Sequence, residues 1–342
     1  MADQLLEVRD LRVEFVVDDS VLRRARRHPA ETLKAVDGVD LAIARGEALG
    51  LVGESGCGKS TLGRAIVGLY RPSGGEIRYD GEPLGAGRTS AQRRRMQMVF
   101  QDPYSSLNPR MTVRQVLREL LRVHHVVPRS DVDARCLELM ELVGLSAAAL
   151  DAHPRNFSGG QRQRVSIARA LALEPQLLIA DEPVSALDVS VQATVLNLLD
   201  ELRRELGLTL LFIAHNMAVV RHVCDRVAVM YLGRIVESAP TAELFSNPRH
   251  PYTRGLLKAV PRLQPGRVSQ AVAVEGDPPS PINLPAGCRF HPRCELAQAV
   301  CHAEDPALVA GPGDAGHTAA CHFAWTAPPQ AHEPEVHVDA TG

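Results

Sequence analysis

Gly53-Glu54-Ser55-Gly56-Cys57-Gly58-Lys59-Ser60 satisfies the spacing G-x-x-x-x-G-K-[ST] at every position. That spacing does phosphate chemistry: glycines let backbone N–H groups turn inward, and a following helix N-terminus adds partial positive charge. Lys59 is placed to reach the β- and γ-phosphates of a nucleotide, Ser60 to ligate Mg²⁺, and Thr61 to donate to a further phosphate oxygen. A second acidic signal lies far downstream in Leu177-Leu-Ile-Ala-Asp181-Glu182-Pro183. Acid pairs at strand ends are common, and only the upstream phosphate loop makes this pair informative. Asp181 is the candidate Mg²⁺ ligand and Glu182 the candidate general base for an attacking water.

The elements that must position these groups are legible around them. Ala48–Val52 is a short apolar run that reads as a buried strand, and Thr61–Leu69 has a helical pattern. Strand, glycine loop and helix is the context the motif requires. Leu177–Ala180 reads as a second buried strand, and Leu208–Ala214 as a third, with His215 just after it. Val191, Val195, Leu198, Leu199, Leu202 and Leu206 mark one face of a helix between them. Strands alternating with helices predict a parallel α/β sheet. The first strand is expected over Leu5–Val13, and residues 102 to 157 turn helical in pattern. No internal repeat is visible.

Ser158-Gly159-Gly160-Gln161, in the run Asn156–Arg164, closely resembles the signature of the ABC family of ATPases. Two glycines beside a serine, opening a helix expected from about Gln161 to Leu173, would form another anion-binding helix N-terminus. Two such sites in one fold suggest two chains sharing one nucleotide. The resemblance implies that: ATP joins a head-to-tail dimer, and the signature of one subunit covers the γ-phosphate bound by the other. It also implies roles for single residues. Gln101 resembles the glutamine that contacts Mg²⁺ and the attacking water, His215 the switch histidine at the γ-phosphate, and Asp188 the aspartate linking the subunits. Phe15, placed after the first strand, resembles the aromatic ring that stacks on adenine; core packing is its other reading. Asn216 departs from the Asp of many relatives, with a minor expected effect. The expected fold is an α/β P-loop NTPase core (1–101 and 169–246) with an antiparallel β subdomain. A helical subdomain (102–168) carries the signature, and a small C-terminal extension (247–326) precedes a disordered tail (327–342).

Thr32–Asp37, Gly53–Cys57, Phe100–Arg110 and His250-Pro251-Tyr252-Thr253 narrow the resemblance to the ATPases of dipeptide and oligopeptide importers. The resemblance implies Mg²⁺-dependent ATP hydrolysis that drives import. It implies two membrane permease subunits, a second and different ATPase chain, and an extracytoplasmic substrate-binding protein. The helical subdomain would grip the permeases. Nickel or another small solute remains an alternative cargo. A soluble ABC ATPase acting on DNA or ribosomes is a different class, disfavoured because neither a second ATPase module nor a long coiled-coil insertion is present. A degenerate nucleotide-binding regulator is disfavoured by intact Glu182, His215 and Ser158–Gln161.

Four of the seven cysteines fall in the extension, as Cys288-x5-Cys294-x6-Cys301-x19-Cys321. Clustered thiols in a chain expected to be cytosolic suggest metal rather than disulfides. Four thiolates suit a [4Fe–4S] cluster or zinc, and free thiols are the third reading. The importer ATPases it resembles carry this pattern, some with a [4Fe–4S] cluster, which would staple an extension poor in core residues. His291, His302, His317 and His322 keep a mixed zinc site open. Cys57, inside the phosphate loop, reads as packing.

The chain has 342 residues, 45% hydrophobic, with net charge −2. That balance argues against nucleic-acid binding, which favours strongly basic domains. No apolar stretch approaches the ~18 residues of a membrane span, and the N-terminus lacks a basic and apolar secretory signal. The expected location is therefore the cytoplasmic face of the cell membrane, held there by partners. The basic run Arg23–Arg27 reads as a solvated loop, with lipid headgroup contact as the alternative.

Overall fold

The structure, a computed structural model, describes residues 3–18, 31–85, 87–102, 107–259, 263–264, 267–268 and 276–326. The basic run Arg23–Arg27, residues 103–106 and the tail from residue 327 lie outside the described residues.

Two sheets organise the chain. β1 (Gln4–Asp18), β2 (Glu31–Ala44), β4 (Gly74–Tyr79) and β5 (Glu82–Pro83) form an antiparallel sheet in the order β2-β1-β4-β5. β3 (Ala48–Val52), β6 (Met96–Val99), β7 (Leu177–Asp181), β8 (Thr209–Ala214) and β9 (Arg226–Tyr231) are neighbours in an eight-stranded sheet, ordered β9-β3-β8-β7-β6 and parallel throughout. β3, β7 and β8 are buried along their whole length, as strands covered on both faces must be. Period two then sorts their side chains. Leu49, Leu51, Leu177 and Ile179 face one core with Leu5, Leu11, Val36 and Leu62. Ala48, Val52, Leu178 and Ala180 face the other.

Helices follow the strands: α1 (Lys59–Val67), α2 (Ser90–Arg95), α3 (Val113–Val123), α4 (Val132–Leu142), α5 (Gly159–Leu171), α6 (Val189–Leu206) and α7 (Met217–Val223). α3 and α5 each open on a capping box, with Thr112–Gln115 and Ser158–Gln161 as the reciprocal pairs. The cap at Ser158 starts α5 two residues earlier than periodicity suggests. Leu117, Leu121, Leu139 and Met140 of the helical region share one core cluster with α5, α6 and the parallel strands.

The C-terminal part is woven into this core. β10 (Arg234–Pro240) pairs antiparallel with β9, and α8 (Thr241–Ser246) and α9 (Pro251–Lys258) follow. A two-residue ribbon, β11 (Leu263–Gln264) with β12 (Arg267–Val268), precedes α10 (Ala299–Ala303) and the pair β13 (Val309–Gly311) and β14 (Asp314–Ala319). β14 pairs with β10, Glu237 opposite Ala319, so the last described strands extend the main sheet. Tyr252 and Phe290 join the same core cluster as α3 and α6.

One boundary expectation is corrected. β1 does not end at Val13 but runs to Asp18, and Phe15 sits inside it opposite Leu33. The run Val13–Val17 keeps pairing with β2 because register shifts absorb the mismatch.

Candidate functional site

Register places the predicted residues together. Val52 is opposite Ala214, Asp181 opposite Ile213, and Val99 opposite Ala180. The phosphate loop, His215, Glu182 and Gln101 therefore all leave the carboxyl ends of four adjacent strands, where open α/β sheets bind ligands.

In the phosphate loop, Ser55 and Gly56 are exposed, whereas Cys57 is buried and Thr61 half-buried. Gly58 caps α1 with φ of 109°, and a Cβ there would overlap the Ala35 carbonyl oxygen, so only glycine fits. No side chain caps α1. Lys59 turns back into the loop, its Nζ donating to the carbonyls of Gly53 (2.7 Å) and Glu54 (3.0 Å). Cys57 Sγ lies 3.8 Å from Nζ, and burial pushes its thiol pKa up. This agrees with a packing role.

Ser60 Oγ donates to Asp181 Oδ1 at 2.7 Å. Asp181 is fully buried, and its Oδ2 has no hydrogen-bond partner; Arg64 approaches only to 3.7 Å. Burial raises its pKa, against the hydrogen bond from Ser60. A hydroxyl and a carboxylate with one orphaned oxygen, both beside the phosphate loop, are the donor set a Mg²⁺ ion fits.

Glu182 has φ of 46°, a left-handed backbone that turns it away from the strand ending at Asp181. Its Oε2 accepts from Gln101 Nε2 at 3.0 Å and lies 3.1 Å from His215 Nδ1. The three line an open cleft of about 520 Å³ with Ser55, Asp102 and Ser185. A carboxylate poised between an amide and an imidazole at a water-accessible cleft is arranged to take a proton from water.

Three sequence-predicted groups, the signature, Asp188 and Phe15, are not among the residues lining that cleft. Ser158 caps α5 through Gln161 N–H (3.3 Å), while Gln161 Oε1 accepts Ser158 N–H (3.0 Å). Ser158, Gly159 and Gln161 are exposed, and Gly160 is buried where a Cβ would overlap Val191. Asp188 occupies the N-cap position of α6 without a side-chain capping bond. Phe15 makes an edge-to-face contact with Tyr70, centroids 5.3 Å apart. Asn216 caps α7, its Oδ1 accepting Ala218 N–H at 2.9 Å.

Cys288, Cys294, Cys301 and Cys321 come together around one cavity walled by Phe290, Leu296 and Phe323. Cys288 N–H donates to the Cys301 carbonyl. All are free thiols. Burial pushes Cys288 up to about 11 and also raises Cys294 and Cys321. Among the described residues no three Cys, His, Asp or Glu side chains converge on one metal-ion position. His317, a candidate for a mixed site, instead holds Glu237 at 2.7 Å in a buried pair.

Sequence reasoning missed two residues at the phosphate loop. Tyr252 Oη accepts Glu54 N–H at 2.8 Å, and Arg293 forks onto the Glu54 carboxylate. Tyr252 stood in the motif that set the subtype, but nothing in its spacing signals a contact 198 residues away.

Fold and site together define an ATP-driven cassette, and comparison with known proteins agrees. Residues 36–185 match the ABC transporter family, and residues 236–301 match the oligopeptide/dipeptide transporter C-terminal region. The chain belongs to the ABC transporter family and is an ATPase that works with Mg²⁺. Among its relatives is the oligopeptide transport ATP-binding protein AppF of Bacillus subtilis, 45% identical over 94% of this chain and 98% of that protein. Another is OppF of Escherichia coli, 49% identical over 93% and 95% respectively. The solved structure of cbiO1 from Clostridium perfringens matches with TM-score 0.61 at 31% identity, over 71% of this chain and 91% of that one. The dimeric cassette MJ0796 bound to ADP and Pi matches with TM-score 0.60 at 26% identity, over 69% and 98%.

Proposed function

We propose that this chain is the ATP-hydrolysing subunit of an importer of oligopeptides and dipeptides, working at the cytoplasmic face of the cell membrane. The single observation that carries the reading is the 45% and 49% identity, across almost the full chain, to proteins named for oligopeptide transport. No helix among the described residues is long and apolar enough to cross a membrane. The path for cargo is assigned to partner chains. These are two permease subunits, with an extracytoplasmic binding protein delivering peptide and a second, different ATPase chain completing the dimer.

The residues divide the work as follows. Lys59 exchanges the carbonyls of Gly53 and Glu54 for phosphate oxygens, and the loop amides from Gly53 to Thr61 cradle the rest. Ser60 and Asp181, with Gln101, would hold Mg²⁺, whose charge offsets that of the phosphates. Glu182 takes the proton of the attacking water, Gln101 orients that water, and His215 contacts the γ-phosphate. Ser158–Gln161 of one subunit close over ATP bound to the other, and Asp188 touches the partner. Phe15 is assigned to stack on adenine; it is half-buried and packs with Tyr70 against the core beside the antiparallel sheet.

The four cysteines are proposed to hold a [4Fe–4S] cluster. Four thiols around one apolar cavity support this.

Gentle anaerobic purification from native membranes, followed by mass spectrometry, tests the assembly. Two permeases, a second ATPase and a peptide-type binding protein are the expected companions. Recovery only with ribosomal proteins or nucleic acid would overturn the transport reading. Iron and acid-labile sulfide in equal amounts are expected, and zinc alone would overturn the cluster.

A further inference from the structure

Glu54 occupies one of the positions that the phosphate-loop pattern leaves open. Here it is the most heavily anchored residue of the loop, and both anchors come from the far end of the chain. Arg293 Nη1 lies 2.7 Å from Glu54 Oε2 and Nη2 lies 2.9 Å from Oε1, a bidentate fork. The Arg293 side chain is only 4% exposed. Tyr252 Oη accepts the Glu54 backbone N–H, and the Glu54 carbonyl accepts from Lys59 Nζ.

Both anchors are rigidly held. Tyr252 is fully buried near the start of α9, and its own N–H donates to Nδ1 of the capping residue His250 at 3.0 Å. Phe290 packs against Tyr231 (5.3 Å between centroids) and Tyr252 (5.5 Å). Arg293 ends a short turn, His291–Arg293, between Cys288 and Cys294, with its guanidinium 6.0 Å from the Tyr231 ring centroid. In the same segment Arg289 is gripped by Asp37 and the Leu232 carbonyl.

We infer that Arg293 and Tyr252 are positioning residues for ATP, acting through Glu54, so that the C-terminal region forms part of the nucleotide site. The physical need is electrostatic. A glutamate in a loop that must receive a polyanion repels it unless its charge is neutralised in place. Arg293 neutralises it, and the bidentate fork fixes the carboxylate in one place. Tyr252 fixes the Glu54 backbone N–H, and with it the course of the phosphate loop from Gly53 into Ser55.

This rests on residues 53–61 being the ATP phosphate loop, which Lys59→Ala tests separately by loss of ATP binding. The direct test measures ATP KM and kcat in the assembled transporter, and fluorescent-ATP binding by the full chain. Arg293→Gln is expected to raise the KM for ATP about tenfold with kcat changed less than about twofold, as losing a charge-assisted anchor implies. Adding Glu54→Gln to Arg293→Gln should restore most of the lost affinity, because the uncompensated charge is gone. A merely structural arginine would show no such rescue. The deficit of Arg293→Gln should also shrink as salt is raised. A KM within about twofold of wild type, or a loss that Glu54→Gln leaves untouched, overturns the inference. Should Arg293→Gln not fold, Tyr252→Phe decides the matter, since it removes one hydroxyl. About a threefold rise in KM at constant kcat is expected, and an unchanged KM overturns the inference.

Discussion

Two helix N-termini in this chain are shaped for anions, and they are finished to different degrees. At α1 no side chain caps the helix, Lys59 is buried in the loop, and an orphaned Asp181 oxygen waits behind Ser60. At α5 the first turn is already capped by Ser158, and three of the four signature residues face solvent. The first terminus keeps its donors for a ligand and has acid, base and cation-holding groups within reach. The difference fits the proposed head-to-tail dimer, in which the α5 terminus of one chain would meet the nucleotide held at the α1 terminus of the other.

Mutations that separate binding from turnover sharpen this contrast. The largest effect is expected at Glu182→Gln, lowering steady-state ATP turnover about a thousandfold while ATP binding persists, because only the general base is lost. Unchanged hydrolysis would show that Glu182 is not the base. Lys59→Ala should weaken ATP binding by the lone chain about a hundredfold, as expected for a charge contact removed from a desolvated site. Ser158→Arg should leave binding by the lone chain within about twofold, yet lower turnover of the assembly about thirtyfold, because it obstructs a surface used only in the complex. If Ser158→Arg weakened binding by the lone chain as much as Lys59→Ala, the distinction between the two termini would collapse.

Legibility in the sequence followed the range of the interactions. The phosphate loop, the Asp181–Glu182 pair and His215 were readable because each sits at a strand end, and strand and helix periodicity are local. Their convergence was readable too, since parallel strands deliver their carboxyl ends to one edge. Phe15 was misplaced relative to β1 because bulges let pairing continue where alternation breaks down. The brace on Glu54 was not readable at all. Arg293 and Tyr252 are held there by packing with Tyr231 and Phe290, which are contacts between distant segments. The extension looked appended for the same reason: its cover is aromatic rings and buried ion pairs, not a periodic apolar face.

Smaller effects test how each terminus is braced. His250 is fully buried, and burial lowers its pKa from 6.5 to about 4, opposed by the nearby Glu237 charge. Its Nδ1 must stay unprotonated to accept Tyr252 N–H. A histidine whose folded pKa is depressed contributes stability above its unfolded pKa and loses it as pH falls through the window from 6.5 to about 4. A shift of that size corresponds to about 3 kcal/mol once the pH lies below both values. Denaturant unfolding across that window should show a shallower pH dependence for His250→Asn, which keeps a capping oxygen but does not titrate. An identical slope would mean that His250 is not the titrating group.

The smallest effect is expected at a third helix N-terminus, that of α7, directly after His215. Asn216 caps it through Oδ1, and Asp supplies the same acceptor geometry with a charge that suits the helix dipole. Asn216→Asp should therefore change stability by no more than about 0.5 kcal/mol and turnover by less than about twofold, whereas Asn216→Ala should destabilise by about 1 kcal/mol. The pair of variants isolates the cap from the charge. If Asp altered turnover strongly while Ala did not, the charge beside His215 would matter to the γ-phosphate contact, and the first anion site would extend one residue further than its hydrogen bonds indicate.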